Sequence, residues 1–110
     1  MGACPGTNQK SRVIPELIIR PAAVAEMADA FDWYEKYVSG LGSEFLLAAD
    51  AVFQGIARHP AQYPLIHKTV RRAILRRFPY EVFFVAETNR VVVLAVFHAK
   101  HNPKHWQQRA

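Results

Sequence analysis

Apolar residues recur along this chain with two different periods. From Ala22 onward they fall at Val24, Met27, Ala28, Phe31, Tyr34 and Val38, with Glu26, Asp29, Asp32, Glu35 and Lys36 between them. That spacing predicts an amphipathic helix. Gly40 and Gly42 break it, and a second helical stripe follows through Phe45, Ala48, Ala49, Val52, Phe53 and Ile56, with Ser43 as the expected cap and Pro60 as the stop. So short a link between helices predicts an antiparallel helical hairpin. Before it, Val13 to Arg20 is a β-rich run closed by Pro21. After it, His59 to Lys68 reads as a loop around Pro60 and Pro64, and the pattern then turns extended. Val70 to Phe78, Tyr80 to Glu87 and Arg90 to Phe97 read as three strands. The last is almost wholly apolar, as expected of a central strand buried on both faces. Thr88-Asn89 suits a two-residue hairpin link because Asn tolerates positive φ, and Phe78-Pro79-Tyr80 marks the other turn. The expected fold is α+β in the order β-α-α-β-β-β, with the helical hairpin on a small, mostly antiparallel sheet. Residues 1–12 are expected to form a disordered arm and 13–110 a single domain.

Composition narrows this further. A chain of 110 residues, 51% of them hydrophobic, has material for one packed core. Its apolar runs are interrupted by Arg71, Arg72, Arg76, Arg77, Glu81, Glu87 and Arg90 before reaching the roughly 20 residues of a membrane span. No secretory stretch opens the sequence, and Gly6 with Pro5 speaks against myristoylation after Met1-Gly2. The expected location is cytoplasmic, without membrane contact. The single cysteine, Cys4, allows no intrachain disulfide and no four-cysteine metal site. The net charge of +5 conceals a split: four basic against seven acidic residues up to Asp50, then ten against two, or −3 and +8. If the halves form different layers, one surface is cationic and seeks a polyanion or an acidic protein.

The cationic residues concentrate at Arg71, Arg72, Arg76 and Arg77. Period-two alternation along a strand through Phe78 places Arg72 and Arg76 on one face and Arg71 and Arg77 on the other. A solvated sheet face explains some of them without function; the alternative reading is a surface for an acidic protein or for phosphate. His98, His101 and His105 lack a cysteine or carboxylate close by in sequence, so no metal is expected, nor any cofactor. Of the large aromatics, Tyr34 lies on the helix stripe, Trp33 flanks it, and Trp106 in the tail is the favoured contact for a partner chain.

Several short motifs then share an order. They are Phe31-Asp32-Trp33-Tyr34, Gly42-Ser43-Glu44-Phe45, His59-Pro60 with Tyr63-Pro64, Arg77-Phe78-Pro79-Tyr80, Ala95-Val96-Phe97-His98, Asn102-Pro103 and Trp106-Gln107-Gln108-Arg109. From about Leu17 to Arg109 the chain resembles the RelE/ParE toxins of type II toxin-antitoxin systems, most of all the ParE-like, plasmid-stabilisation branch. The resemblance implies a growth-inhibiting toxin neutralised by a cognate antitoxin, acting by binding DNA gyrase rather than by catalysis. The contact surface would then be Arg71, Arg72, Arg76 and Arg77 with Lys100, Trp106 and Arg109 of the tail. An acidic, amphipathic antitoxin segment laid on that surface would fit the charge split. The other branch implies a ribosome-dependent mRNA endonuclease, in which Arg77 and His98 match by motif position the cationic and C-terminal residues, with Tyr80 or Lys100 assisting. That branch ends on a tyrosine, whereas Ala99, Lys100 and a polar tail follow His98 here. A relative that only binds an antitoxin is the third possibility.

Overall fold

A computed structural model describes residues 15–100 of the chain. Val13, Ile14, the arm with Cys4, and the tail with His101, His105, Trp106 and Arg109 lie outside the described residues. The elements are β1 (Glu16–Ile19), α1 (Pro21–Tyr37), α2 (Leu41–Arg58), a 3-10 turn (Pro60–Gln62), β2 (Leu65–His67), β3 (Val70–Ile74), β4 (Tyr80–Ala86) and β5 (Arg90–His98). The fold is the expected α+β arrangement, two helices on a mixed sheet, with one short strand added inside the segment expected to be a loop. The sheet order is β1-β5-β4-β3-β2. Among the described strands only the β1–β5 pairing is parallel, with Glu16 opposite Arg90 and Ile19 opposite Val93.

β5 owes its long apolar run to its position. It is paired on both sides as far as Val93, and its residues feed two clusters. Val91, Val93 and Val96 join Ala73, Val82 and Phe84 beneath the helices, where Phe45, Ala49, Phe53 and Ile56 of α2 complete the main core. Leu94, Ala95 and Phe97 join Val70 and Phe83 in a second buried cluster drawn from strands alone. The switch occurs at a bulge, where Phe83 pairs with Ala95 but Phe84 pairs with Val93. Beyond Ile19 the β1 side of β5 loses its strand partner, and the Glu26 carboxylate of α1 accepts from the Val96 N–H at 3.0 Å instead.

Several expectations need correction. Pro21 does not merely close the strand; it opens α1 as its first helical residue, where its missing N–H costs nothing. The inner face of α1 carries Ala23, Met27, Ala30 and Tyr34, whereas Val24 and Val38 are about half exposed (52% and 51%). Alanines permit a close approach to the sheet, and hydrophobicity alone did not single them out. Ser43 is not the cap of α2, which begins two residues earlier behind Gly40 at φ 90°. Its free amides are met by Glu35 from the end of α1, which accepts from Gly40 N–H at 2.8 Å and from Gly42 N–H at 3.0 Å. Gly42 also sits so near α1 that a Cβ there would lie 2.8 Å from the Phe31 carbonyl oxygen. The Thr88-Asn89 link forms, closed by Glu87 N–H to Arg90 C=O at 2.8 Å, yet neither linking residue has positive φ. Finally, β3 stops at Ile74, so the alternation of four arginines along one strand does not hold: Arg76 and Arg77 lie in the bend before β4.

Candidate functional site: the cationic bend and the end of the sheet

The arginines divide into two that hold the fold and two at the bend. Arg71 donates through Nη1 to the Tyr63 carbonyl at 2.6 Å and the Ala61 carbonyl at 3.4 Å, pinning the 3-10 turn against β3. Arg72, across the sheet from Glu81, approaches it at 3.7 Å, and its Nε is buried with no hydrogen-bond partner among the described residues. Arg77 is held in the left-handed region at φ 73°. Its Nη2 donates to Glu44 Oε1 at 2.6 Å and its guanidinium lies 5.5 Å from the Phe78 ring centre. Arg76 is exposed and makes no ion pair or side-chain hydrogen bond among the described residues.

The bend and the end of β5 meet at one end of the sheet. Tyr80 is opposite His98 in the ladder, and the Ala99 N–H donates to the Pro79 carbonyl at 2.7 Å. Arg77 and His98 are thus brought to the same end of the sheet. Between them lies an aromatic cluster: Tyr34 against Phe78 at 5.0 Å, Phe45 against Tyr80 at 5.1 Å, and Tyr80 against His98 at 5.3 Å, all edge-to-face. Burial raises the Tyr34 pKa. Burial, and then the neighbouring Tyr34 charge, raises that of Tyr80. Both phenols therefore keep their protons at neutral pH, which suits a proton donor and disfavours a base. The Lys100 N–H donates to His98 Nδ1 at 3.2 Å, so a neutral ring carries its proton on Nε2. Lys100 itself is exposed. Among the described residues no cluster of three His, Cys, Asp or Glu side chains could hold a metal ion, and no helix is long and apolar enough to cross a membrane.

Sequence reasoning did not find Glu44, the partner of Arg77, because the two are separated by 33 positions. Nor did it find the groove beside them, of about 540 Å³, between Leu47, Ala51 and Val52 of α2 and Ile74, with Arg76 and Arg77 in its lining. Its one sequence signal is Leu47, an apolar residue that falls off the buried stripe of α2 and is 70% exposed.

Residues 17–103 match the family described as the ParE toxin of the type II toxin-antitoxin system, parDE. The chain belongs to the ParE toxin family. Among solved structures it is similar to one described as the chromosomal ParDE TA system from P. aeruginosa, at 18% identity and a TM-score of 0.59, covering 77% of this chain and 96% of that one. At that identity the likeness concerns the fold. No curated protein matches the chain. As a ParE-family member it falls within the RelE/ParE superfamily.

Proposed function

We propose that this ParE-family chain arrests growth in the cytoplasm by binding DNA gyrase, without catalysis, and that a cognate antitoxin neutralises it. The observation that carries this reading is the state of Arg77. An endonuclease needs a cationic group free to meet the crowded phosphate, yet this guanidinium is engaged by Glu44 and seated on Phe78. The neighbouring Arg76 stands out into solvent, as a contact residue would. The cationic bend is therefore read as part of a binding surface, which Lys100, Trp106 and Arg109 would extend. One observation favours the endonuclease alternative: Arg77, Tyr80 and His98 lie at the same end of the sheet, and Tyr80 is poised as an acid rather than a base.

The test is induced expression of the chain alone in a bacterial host, following growth, DNA supercoiling and transcript integrity in one culture. Growth arrest with altered supercoiling and intact RNA is the expected result. Arrest with cut transcripts, abolished by Arg77→Ala or His98→Ala, would replace this reading with the endonuclease. Unimpaired growth of cells holding the folded protein would leave a relative that only binds an antitoxin.

A further inference from the structure

The last turns of α1 carry more exposed aromatic surface than the fold uses. Trp33 is 61% exposed and Tyr37 72%, and the half-exposed Val38 follows them. Single apolar residues on a surface are ordinary, but a contiguous group marks a contact surface. The two rings are already ordered. Trp33 stacks on Tyr37 at 5.6 Å with the planes 13° apart, and it stands edge-to-face on Tyr34 at 5.1 Å. Tyr34 in turn packs on Phe45 of the core at 5.6 Å. A partner closing on Trp33 and Tyr37 therefore meets side chains whose freedom the free chain has already restricted, and tryptophan and tyrosine are the residues in which interface hot spots are enriched.

The charges beside the rings define the partner that fits them. Asp29 lies four residues before Trp33 and Asp32 adjoins it; both are exposed, and neither makes an ion pair or side-chain hydrogen bond among the described residues. A guanidinium laid over the Trp33 ring gains cation–π attraction and reaches the Asp29 carboxylate on the same helix face, because positions four apart are neighbours. The patch also adjoins the cationic bend: Tyr34 meets Phe78 at 5.0 Å, and the Arg77 guanidinium lies 5.5 Å from that same ring. Exposed charges of both signs, Arg76 on the bend and Asp29 and Asp32 on the helix, thus flank one ring cluster. A nucleic-acid backbone carries negative charge alone and would be repelled by the two carboxylates. A protein surface can complement both signs. An acidic antitoxin segment would likewise be repelled at the helix, which leaves a basic segment of the target as the occupant.

We infer that the Trp33/Tyr37 patch of α1 is the surface on which this toxin seats an arginine- or lysine-bearing segment of its target protein. The inference rests on the toxin reading above and deepens it, adding an acid-flanked aromatic contact to the cationic bend. The basic side chain lies over Trp33, its charge meets Asp29 and Asp32, and Tyr37 with Val38 covers its apolar stem.

The test titrates the full-length chain into supercoiling of relaxed plasmid by purified DNA gyrase. Three variants accompany the wild type, each with its unfolding curve: Trp33→Ala/Tyr37→Ala, Asp29→Lys/Asp32→Lys and, as a control elsewhere on α1, Val24→Ala. Wild type and Val24→Ala are expected to inhibit alike. The ring variant is expected to keep its melting temperature near wild type and to need at least about 10-fold more protein for half inhibition, as loss of a hot spot requires. The charge-reversed variant is expected to inhibit severalfold more weakly at low salt and to converge with wild type as salt rises. Equal inhibition by the ring variant and wild type overturns the patch and leaves gyrase standing as the target. Stronger inhibition by the charge-reversed variant overturns it in favour of a nucleic-acid contact. No inhibition by the folded wild type overturns the gyrase reading, and the occupant assigned here with it. Should the ring variant fail to fold, the charge-reversed variant decides alone, and its equality with wild type at low salt overturns the patch.

Discussion

At the residue scale, four side chains do work that their neighbours in sequence do not reveal. Arg77 occupies a left-handed conformation that costs a non-glycine residue about 1 kcal/mol, a cost that its exposed pair with Glu44 offsets only in part. Arg77→Gly is therefore expected to fold with a melting temperature close to wild type, whereas the β-branched Arg77→Val should be clearly less stable. Thermal unfolding of the two variants checks this, and it separates a loss of activity in Arg77→Gly from a loss of fold. Glu26 supplies the acceptor that β1 is too short to provide. Glu26→Ala leaves the Val96 N–H unpaired and is expected to cost roughly 1–3 kcal/mol, while Glu26→Gln, which keeps an acceptor oxygen, should cost less; chemical denaturation of both variants is the measurement. Tyr34 and Tyr80 add a pH dependence with a definite sign. Their pKa values are raised above the ordinary 10.0 by burial, so the unfolded chain loses these protons first as pH rises. The stability they contribute is complete below pH 10 and falls as pH climbs through the raised folded values. Melting temperatures of wild type and the Tyr34→Phe/Tyr80→Phe double variant should run parallel at neutral pH, with the wild type falling more steeply above pH 10.

At the element scale, the glycine link between the helices is fixed by contact as much as by flexibility. Gly42→Ala would drive a methyl group to within 2.8 Å of the Phe31 carbonyl and 2.9 Å of the Glu35 carboxylate. It is expected to destabilise the chain by about 1–3 kcal/mol. The same link shows why part of the fold was readable and part was not. α2 and the last two strands were legible because their apolar periods are strong and their ends carry proline or a turn. The inner face of α1 was misread because Ala23 and Ala30 are chosen for small size against the sheet, a property no hydropathy pattern reports. β2 was hidden because it is three residues long and is preceded by Pro64, the kind of residue that speaks against a strand. The candidate site was legible as a set of positions and not as roles. Arg77 and His98 were singled out by motif position, yet the pairing of Arg77 with Glu44 depends on how the helical hairpin folds back over the bend. The split of the arginine cluster likewise follows from the strand ending at Ile74, which the imperfect alternation of Val70 to Phe78 did not mark.

At the scale of the whole molecule, the charge split becomes a division between layers. The acidic residues Glu26, Asp29, Asp32, Glu35, Glu44 and Asp50 sit on the helices, while Arg71, Arg72, Arg76, Arg77 and Arg90 sit on the sheet and its bends. This matters for how the cationic surface is probed. Substituting all four clustered arginines together would confound contact with stability, since Arg71 holds the carbonyls of Ala61 and Tyr63 and Arg72 faces Glu81. Arg76 is the clean probe, being exposed and free of such ties among the described residues. Arg76→Glu is expected to leave the melting temperature nearly unchanged, as exposed substitutions away from special contacts shift stability by roughly 0.5 kcal/mol or less. If the bend is a contact surface, the same change weakens partner binding severalfold at low salt, and the difference from wild type narrows as salt is raised, because exposed charges are screened within a Debye length of about 10 Å at 0.1 M. Arg71→Ala should do the reverse, lowering the melting temperature first and affecting binding only through the fold. Titrations of the two variants at two ionic strengths, read beside their unfolding curves, therefore assign each arginine to surface or to scaffold. Equal binding by Arg76→Glu and wild type at low salt would remove the bend from the contact surface.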